Sequence, residues 1–279
     1  MNTQTQKLNG ITLHHVYGNV SRDFWNEHYH AHDHAEIFVH VLGKMDLFIE
    51  NNIYSHHGNE IRVYAPQELH FGKADFDQNM EWYQISIDGW FLAENPPLAN
   101  IILNRPKGQD NVFISKKQET VLSLLNEIFQ RQDGILSEYY NYANVIKILC
   151  ILNDSDNNIK VEMGRNESLQ QIMEETNKNI VNIQNVRDIA ALTHFSTSYI
   201  HQTFKKHLNI TPHQYVLMKK MSLAKEFLAK GETVSEACFN AGFDNYAYFI
   251  TCFKKIFGVT PGKHKKSTDY MNLLKSMLC

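Results

Sequence analysis

Ser198, His201 and Gln202 are spaced three and four residues apart around Ile200 and Phe204, so a helix through them turns three polar side chains away from the apolar ones. That face is suited to recognition: a glutamine amide matches the paired N6 and N7 groups of adenine in a major groove. Tyr199 is expected to point inward with Ile200 and Phe204, and Lys205 extends the polar face toward a phosphate. A second set follows. Tyr199, Phe204, Lys205, Lys206, Thr211 and Pro212 recur 49 positions later as Tyr248, Phe253, Lys254, Lys255, Thr260 and Pro261. The outward face of this copy is Asn245, Tyr246, Ala247 and Thr251, with Lys254 and Lys255 beyond. One unit used twice, with Ile200 and Phe249 at the matched inward position, is a duplicated helix-turn-helix, a device for reading two segments of one DNA duplex.

The elements that must hold these faces can be read around them. Val186, Ile189, Ala190 and Leu192 give a short apolar helix, Thr193 to Ser196 supplies a turn, and Ser196 can cap the next helix. The second copy repeats the plan with a helix from Val234 to Asn240, a turn over 241–244 and a helix from Asn245 to Phe257. Between them Thr211 and Pro212 read as N-cap and first-turn proline of a helix whose Leu217, Met221, Ala224 and Leu228 form one stripe, ended by Gly231. A spacer of about 18 residues is about 27 Å long, near the roughly 34 Å of one DNA turn. The bland alternative is a helical bundle with an accidental repeat, and charge tilts against it. Residues 1–166 hold 13 Lys+Arg against 21 Asp+Glu, net −8, whereas residues 167–279 hold 14 against 9, net +5. In the basic half Lys205, Lys206, Lys219, Lys220, Lys254, Lys255, Lys263, Lys265 and Lys266 can neutralise phosphates, although exposed lysines alone would mean only a solvated face.

Composition bounds the rest. At 279 residues and 43 % hydrophobic content the chain should form two domains with their own cores. It has no run of 18 apolar residues, and the polar stretch Met1 to Gly10 lacks a signal-peptide core, which points to a cytoplasmic protein without a membrane partner. Cys150, Cys238, Cys252 and Cys279 have no metal-ligand spacing and fit reduced, mostly buried thiols.

The N-terminal half alternates short β-rich runs (Glu36 to Leu42, Met45 to Ile49, Ile61 to Tyr64, Glu81 to Ile87) with the turn-prone Gly43-Lys44, Asn51-Asn52, His57-Gly58-Asn59 and Ala65-Pro66, as a small β-barrel or double-sheet roll does. Glu36, Phe38, His40 and Leu42 share one strand face if Glu36 points inward, and Trp82, Gln84 and Ser86 share another. An aromatic platform with amide and imidazole donors suits a sugar or similar polar ligand; Trp82 as plain core is the competing reading. Further on, Val121, Leu124, Leu125, Ile128 and Phe129 make one helical stripe and Tyr139, Tyr142, Ala143, Ile146, Leu149 and Cys150 another, separated by Gln132-Asp133-Gly134. This is an αα-hairpin whose apolar face suits either a second subunit or the barrel. The polar stretch from Asn153 to Asn166 fits a linker.

At Asp188-Ile189-Ala190, Ser196 to Phe204, Ala241-Gly242-Phe243, Tyr248-Phe249, Phe253-Lys254-Lys255 and Phe257-Gly258-Val259-Thr260-Pro261 the chain resembles the DNA-binding domain of AraC/XylS-type transcription regulators. It departs from that pattern at Thr251, where the second recognition helix often has arginine, and at His264-Lys265, where tyrosine and arginine usually follow Thr-Pro. The N-terminal half resembles cupins, whose two motifs place two histidines, a glutamate and a later histidine inside the barrel; His30, His32, Glu36 and His70 fill these positions beside Gly43, Gly58 and Pro66. Three imidazoles and a carboxylate suit iron, manganese, nickel or zinc. Against this, ten of the fifteen histidines lie in the first 70 residues, which favours a chance His-x-His, and no metal or other cofactor is expected.

Together the resemblances imply an α+β multidomain chain: a cupin-like effector-binding β-barrel over residues 1–110, a helical hairpin for dimerisation over 111–153, a linker over 154–166, an all-α DNA-binding domain with two helix-turn-helix motifs over 167–268, and a tail over 269–279. The implied function is a sequence-specific transcription regulator, an activator, that binds double-stranded DNA through Ser198, His201, Gln202, Lys205, Asn245, Tyr246, Thr251, Lys254 and Lys255. A small-molecule effector would sit among His30, His32, Glu36, Phe38, His40, His70, Trp82 and Gln84, with a homodimer and RNA polymerase as the implied partners. No catalytic residue is assigned. The alternatives are a metal-dependent cupin enzyme fused to a DNA-binding module, and a constitutive DNA-binding protein with a degenerate barrel.

Overall fold

Side chains that alternate every two residues build the first half of the computed structural model, which describes residues 1–20, 30–50, 52–56, 58–74, 77–131, 134–154, 156, 158–160 and 167–265. Lys266, Cys279, the tail, most of the expected linker, and the turn residues Asn51, His57, Gln132 and Asp133 lie outside them. The chain divides into two units, Met1–Asn166 and Glu167–Cys279.

The first unit runs β1 (Asn2–Leu8), β2 (Ile11–Asn19), β3 (Ala35–Leu42), β4 (Met45–Ile49), β5 (Asn52–His56), β6 (Glu60–Tyr64), β7 (His70–Ala74), β8 (Asn79–Ile87), α1 (Gly89–Glu94), α2 (Pro96–Leu103), β9 (Val112–Ser115), α3 (Gln118–Gln130), α4 (Ser137–Asn153) and β10 (Asn158–Lys160). Seven strands form one antiparallel sheet in the order β1-β2-β8-β3-β6-β9-β10, and three form another, β5-β4-β7. Pleating decides what each residue meets. Ile37, Val39, Ile61, Val63, Tyr83, Ile85 and Ile87 face the helices and join Val121, Leu124, Leu125, Ile128, Val145, Ile148, Leu149 and Leu152 in one core. Their neighbours face the smaller sheet, where Tyr64 and Trp82 meet Met45, Leu47, Ile49 and Tyr54, with Phe38 alongside. The N-terminal half is thus a double-sheet roll with helices on one outer face.

Several expectations change here. Residues 112–115 and 158–160, assigned to hairpin and linker, pair with each other as the last two strands of the larger sheet, 112–115 also pairing with β6. The α4 stripe is rotated: Asn141, Val145, Ile148, Leu149 and Leu152 are buried, whereas Tyr139 and Cys150 are exposed. Spacings of four, three and four residues put the buried set on one face, which the mixed sequence of this helix did not reveal. Leu42 is also exposed, beyond an irregularity in pairing between His40 and Leu42 that breaks the alternation.

The second unit runs α5 (Glu167–Lys178), a 3-10 turn (Ile180–Asn182), α6 (Val186–Thr193), α7 (Thr197–Leu208), α8 (Pro212–Ala229), α9 (Val234–Asn240) and α10 (Tyr246–Phe257). Five helices begin on side-chain caps. Asn185 with Asp188, Thr211 with Gln214 and Thr233 with Glu236 form reciprocal capping boxes, and Ser196 accepts from the Tyr199 N–H at 3.1 Å. Asn245, the repeat mate of Ser196, accepts from the Tyr248 N–H at 2.9 Å. The repeat reaches past α10, since residues 261–265 are again helical, starting at Pro261 after Thr260 as α8 starts at Pro212 after Thr211.

Candidate functional site: a paired recognition surface and a histidine-lined cavity

Helix α7 buries Ile200, Thr203, Phe204 and Leu208, a run that leaves Ser198, His201, Gln202 and Lys205 exposed along the opposite side. Helix α10 buries Phe249, Cys252 and Phe253 and exposes Tyr246, Ala247, Thr251, Lys254 and Lys255. Tyr199 does not point inward as expected: it is 40 % exposed, stacked on Phe195 with ring centres 5.1 Å apart, and its repeat mate Tyr248 is 44 % exposed. Thr203 takes the inward place, because three residues from Ile200 returns to the same face and one residue back does not. The Asn245 carboxamide is partly committed to its cap, and the Thr251 hydroxyl donates to the Ala247 carbonyl, so both act from fixed positions. The exposed Lys205 ammonium donates to Asn209 Oδ1 at 2.8 Å, and two further lysines are turned away from phosphates. Lys220 is 4 % exposed with its ammonium on the Gly242 carbonyl, and Lys265 donates to the carbonyls of Gly231 and Glu232.

In the first unit a cavity of about 110 Å³ opens between the two sheets, lined by His30, His32, Glu36, Phe38, His70, Trp82 and Gln84 together with Met45, Leu47, Arg62, Tyr64 and Gly72. His30 and His70 are joined by reciprocal backbone hydrogen bonds of 3.0 and 2.9 Å, which is how the distant histidine reaches the first cluster. His32 Nε2 and His70 Nε2 lie 3.2 and 3.5 Å from Glu36 Oε2, while His34 Nε2 lies 3.2 Å and the Gln84 amide 2.7 Å from Oε1. Burial alone would raise the Glu36 carboxyl, but the facing His32, His34 and His70 outweigh it and hold the group well below the usual carboxylate range. Arg62, Tyr64, Met45, Leu47 and Gly72 were not anticipated. The signal for two of them is register: Glu36 pairs with Tyr64 and Phe38 with Arg62, so they share a face. His40 does not line the cavity. Its Nδ1 sits 2.8 Å from Glu60 and 2.7 Å from the Arg62 guanidinium, inside the roll.

The donor set tests whether a metal ion fits. The His70 Nδ1 lies 2.9 Å from the Glu68 carbonyl, which can only accept, so Nδ1 carries a proton. Nε2 faces Glu36 Oε2, where a protonated ring donates to the carboxylate and a neutral ring offers its lone pair to a metal ion. His30, His32 and His70 bring one nitrogen each to within 4.8 Å of one another, and His32, His34 and Glu36 form a second, overlapping trio. Three imidazoles beside a carboxylate, with one ring oriented by a backbone carbonyl, fit a divalent transition metal such as zinc.

Both halves match known sequence families. Residues 20–139 match the AraC-like ligand binding domain and residues 189–267 the helix-turn-helix domain. The chain belongs to the AraC/XylS family of transcription regulators. Among relatives in this family, the probable transcriptional regulator LumQ of Photobacterium leiognathi is 23 % identical over 244 residues, covering 85 % of this chain and 91 % of LumQ. The transcriptional activator RhrA of Rhizobium meliloti is 27 % identical over 181 residues, 63 % of this chain and 56 % of RhrA. The crystal structure of ToxT from Vibrio cholerae aligns at 14 % identity and a TM-score of 0.38 over 92 % of this chain and 97 % of ToxT. The curated relatives are named as regulators of transcription, and this AraC-family chain is a DNA-binding regulator with a ligand-binding domain. No helix among the described residues is long and apolar enough to cross a membrane.

Proposed function

We propose that this chain is a cytoplasmic, ligand-responsive activator that works as a homodimer and reads two neighbouring segments of a DNA duplex. The observation that carries the reading is the pair α7 and α10, each capped at a matched residue and each presenting a polar, lysine-bearing face from its own packed core. Ser198, His201, Gln202, Tyr246 and Thr251 are assigned to base edges, with Asn245 at the helix start; Lys205, Lys254 and Lys255 are assigned to phosphates. Activation, and with it RNA polymerase as a partner, is supported by the naming of RhrA as an activator.

The cavity between the sheets is the assigned effector site. At about 110 Å³ it lies below the roughly 300 Å³ at which drug-sized pockets begin, so it favours a small polar effector over a bulky one. A metal ion held by His30, His32 and His70 beside Glu36 would supply a positive centre for an effector oxygen. A ligand here touches Trp82 and Gln84 of one sheet and Leu47 and Gly72 of the other, and by favouring one spacing of the sheets it shifts the population of the regulator toward one DNA-binding state.

Gel-shift titrations on the DNA upstream of the coding sequence test the assignment. Gln202→Ala should cost about 1–3 kcal/mol on cognate DNA and little on scrambled DNA, whereas Lys254→Ala should weaken both alike. Equal losses on both duplexes for Gln202→Ala would remove it from base readout.

A further inference from the structure

Helix α8 joins two separately packed motifs. Near its start Tyr215 packs edge-on against Phe204 of the first motif, and its second half carries Met221, Ala224 and Leu228 into the core of the second. Midway between them the Lys220 ammonium donates to the Gly242 carbonyl at 2.7 Å and lies 5.9 Å from the Phe243 ring centre. Gly242 forms the turn between α9 and α10 with φ +85°, and a β-carbon there would meet the Val181 carbonyl oxygen at 2.2 Å. Val181 belongs to the 3-10 turn ahead of α6, and Gln184 reaches the same Gly242 oxygen at 3.4 Å while its own N–H is held by Asp188. The carboxylates whose charges act on the ammonium come one from each motif, Asp188 and Asp244.

A buried ammonium is a poor choice for stability alone. Methionine would fill similar space without desolvating a charge, so the lysine is better explained by the geometry it imposes on its acceptor. We propose that Lys220 and Gly242 form a polar lock fixing the relative placement of α7 and α10, and thereby selecting the separation between the two DNA segments that the chain accepts. Lys220 touches no base; it is a positioning residue. The proposal rests on the DNA-reading function proposed above.

The test uses the full chain and a duplex selected with it from random DNA. Affinity is measured for that duplex, for versions with the spacer changed by one or two base pairs, and for a version retaining one half-site. The wild-type chain should lose about tenfold or more on altered spacers, since each added base pair rotates one half-site away from its helix. Lys220→Met should keep single-half-site affinity within about threefold while binding all spacers within about threefold of one another. Gln184→Ala, which removes only the longer contact to the same carbonyl, should give an intermediate profile and decides the matter if Lys220→Met fails to fold by thermal melt. A wild-type spacing profile in the folded variants, or a loss of equal size on every duplex including the single half-site, overturns the lock. A wild-type chain that binds no duplex overturns the DNA-reading function itself, a result distinct from a flattened profile.

Discussion

His40 shows how much of a residue's role is decided by partners that sequence spacing cannot supply. Alternation along β3 groups it with Glu36 and Phe38, yet it meets Glu60 and Arg62 from β6 inside the roll. Its Nδ1 thus faces both a guanidinium that can only donate and a carboxylate that can only accept. Burial, then the neighbouring Arg62, lower the His40 pKa and outweigh Glu60, which raises it. A histidine whose pKa is depressed in the fold supports stability above the ordinary value of about 6.5 and loses that support as pH falls through the range below it. Urea midpoints of the whole chain should therefore drop between pH 7.5 and pH 5, and His40→Gln should drop by less over the same interval. An unchanged drop in the variant would assign the acid sensitivity to other groups. Glu36, Phe38, Trp82 and Gln84 were legible as face-sharing pairs because period two is local, whereas Arg62 and Tyr64 needed the register of β6 on β3.

At the scale of elements, legibility followed the strength of end signals. Ser196 and Thr211-Pro212 announced their helices, and α7 and α8 begin at Thr197 and Pro212. Strand β1, whose Asn2 to Gln6 are polar and mostly exposed, carries almost no apolar alternation and owes its place to pairing with β2. The four-residue β9 and three-residue β10 are too short to show a period at all. Helix α4 was legible as a helix but not in its orientation, and the orientation bears on assembly. Its buried side packs against α2, α3 and the large sheet, while Tyr139, 73 % exposed, and Tyr140 on the helix join Ile135, 96 % exposed, and Leu136 in the turn before it. Four exposed apolar side chains within residues 135–140 suit the contact face of the proposed homodimer. Ile135→Glu combined with Tyr139→Glu should convert a sedimenting dimer to monomer while shifting stability by no more than about 0.5 kcal/mol, as surface changes do. A variant that remains dimeric would place the subunit contact elsewhere.

At the scale of the molecule, the division into Met1–Asn166 and Glu167–Cys279 falls where the charge changes sign, from net −8 to net +5. The two units therefore act differently on a polyanion. Exposed lysines of the second unit gain from releasing the counterions condensed on DNA, and the acidic first unit opposes any approach to DNA within a screening length of about 10 Å at 0.1 M salt. A fragment of residues 167–279 should consequently bind its target with an affinity that falls linearly in a plot of log affinity against log salt, with a slope of about −0.9 for each phosphate neutralised. It should also bind scrambled DNA more tightly than the whole chain does at low salt, and this gap should close as salt rises, because the long-range repulsion is screened while the direct contacts are shared. Fluorescence anisotropy of a labelled duplex from about 50 to 300 mM salt measures both quantities. A fragment that fails to bind at the lowest salt, or one whose affinity is insensitive to salt, would mean that the basic half does not hold DNA through its phosphates.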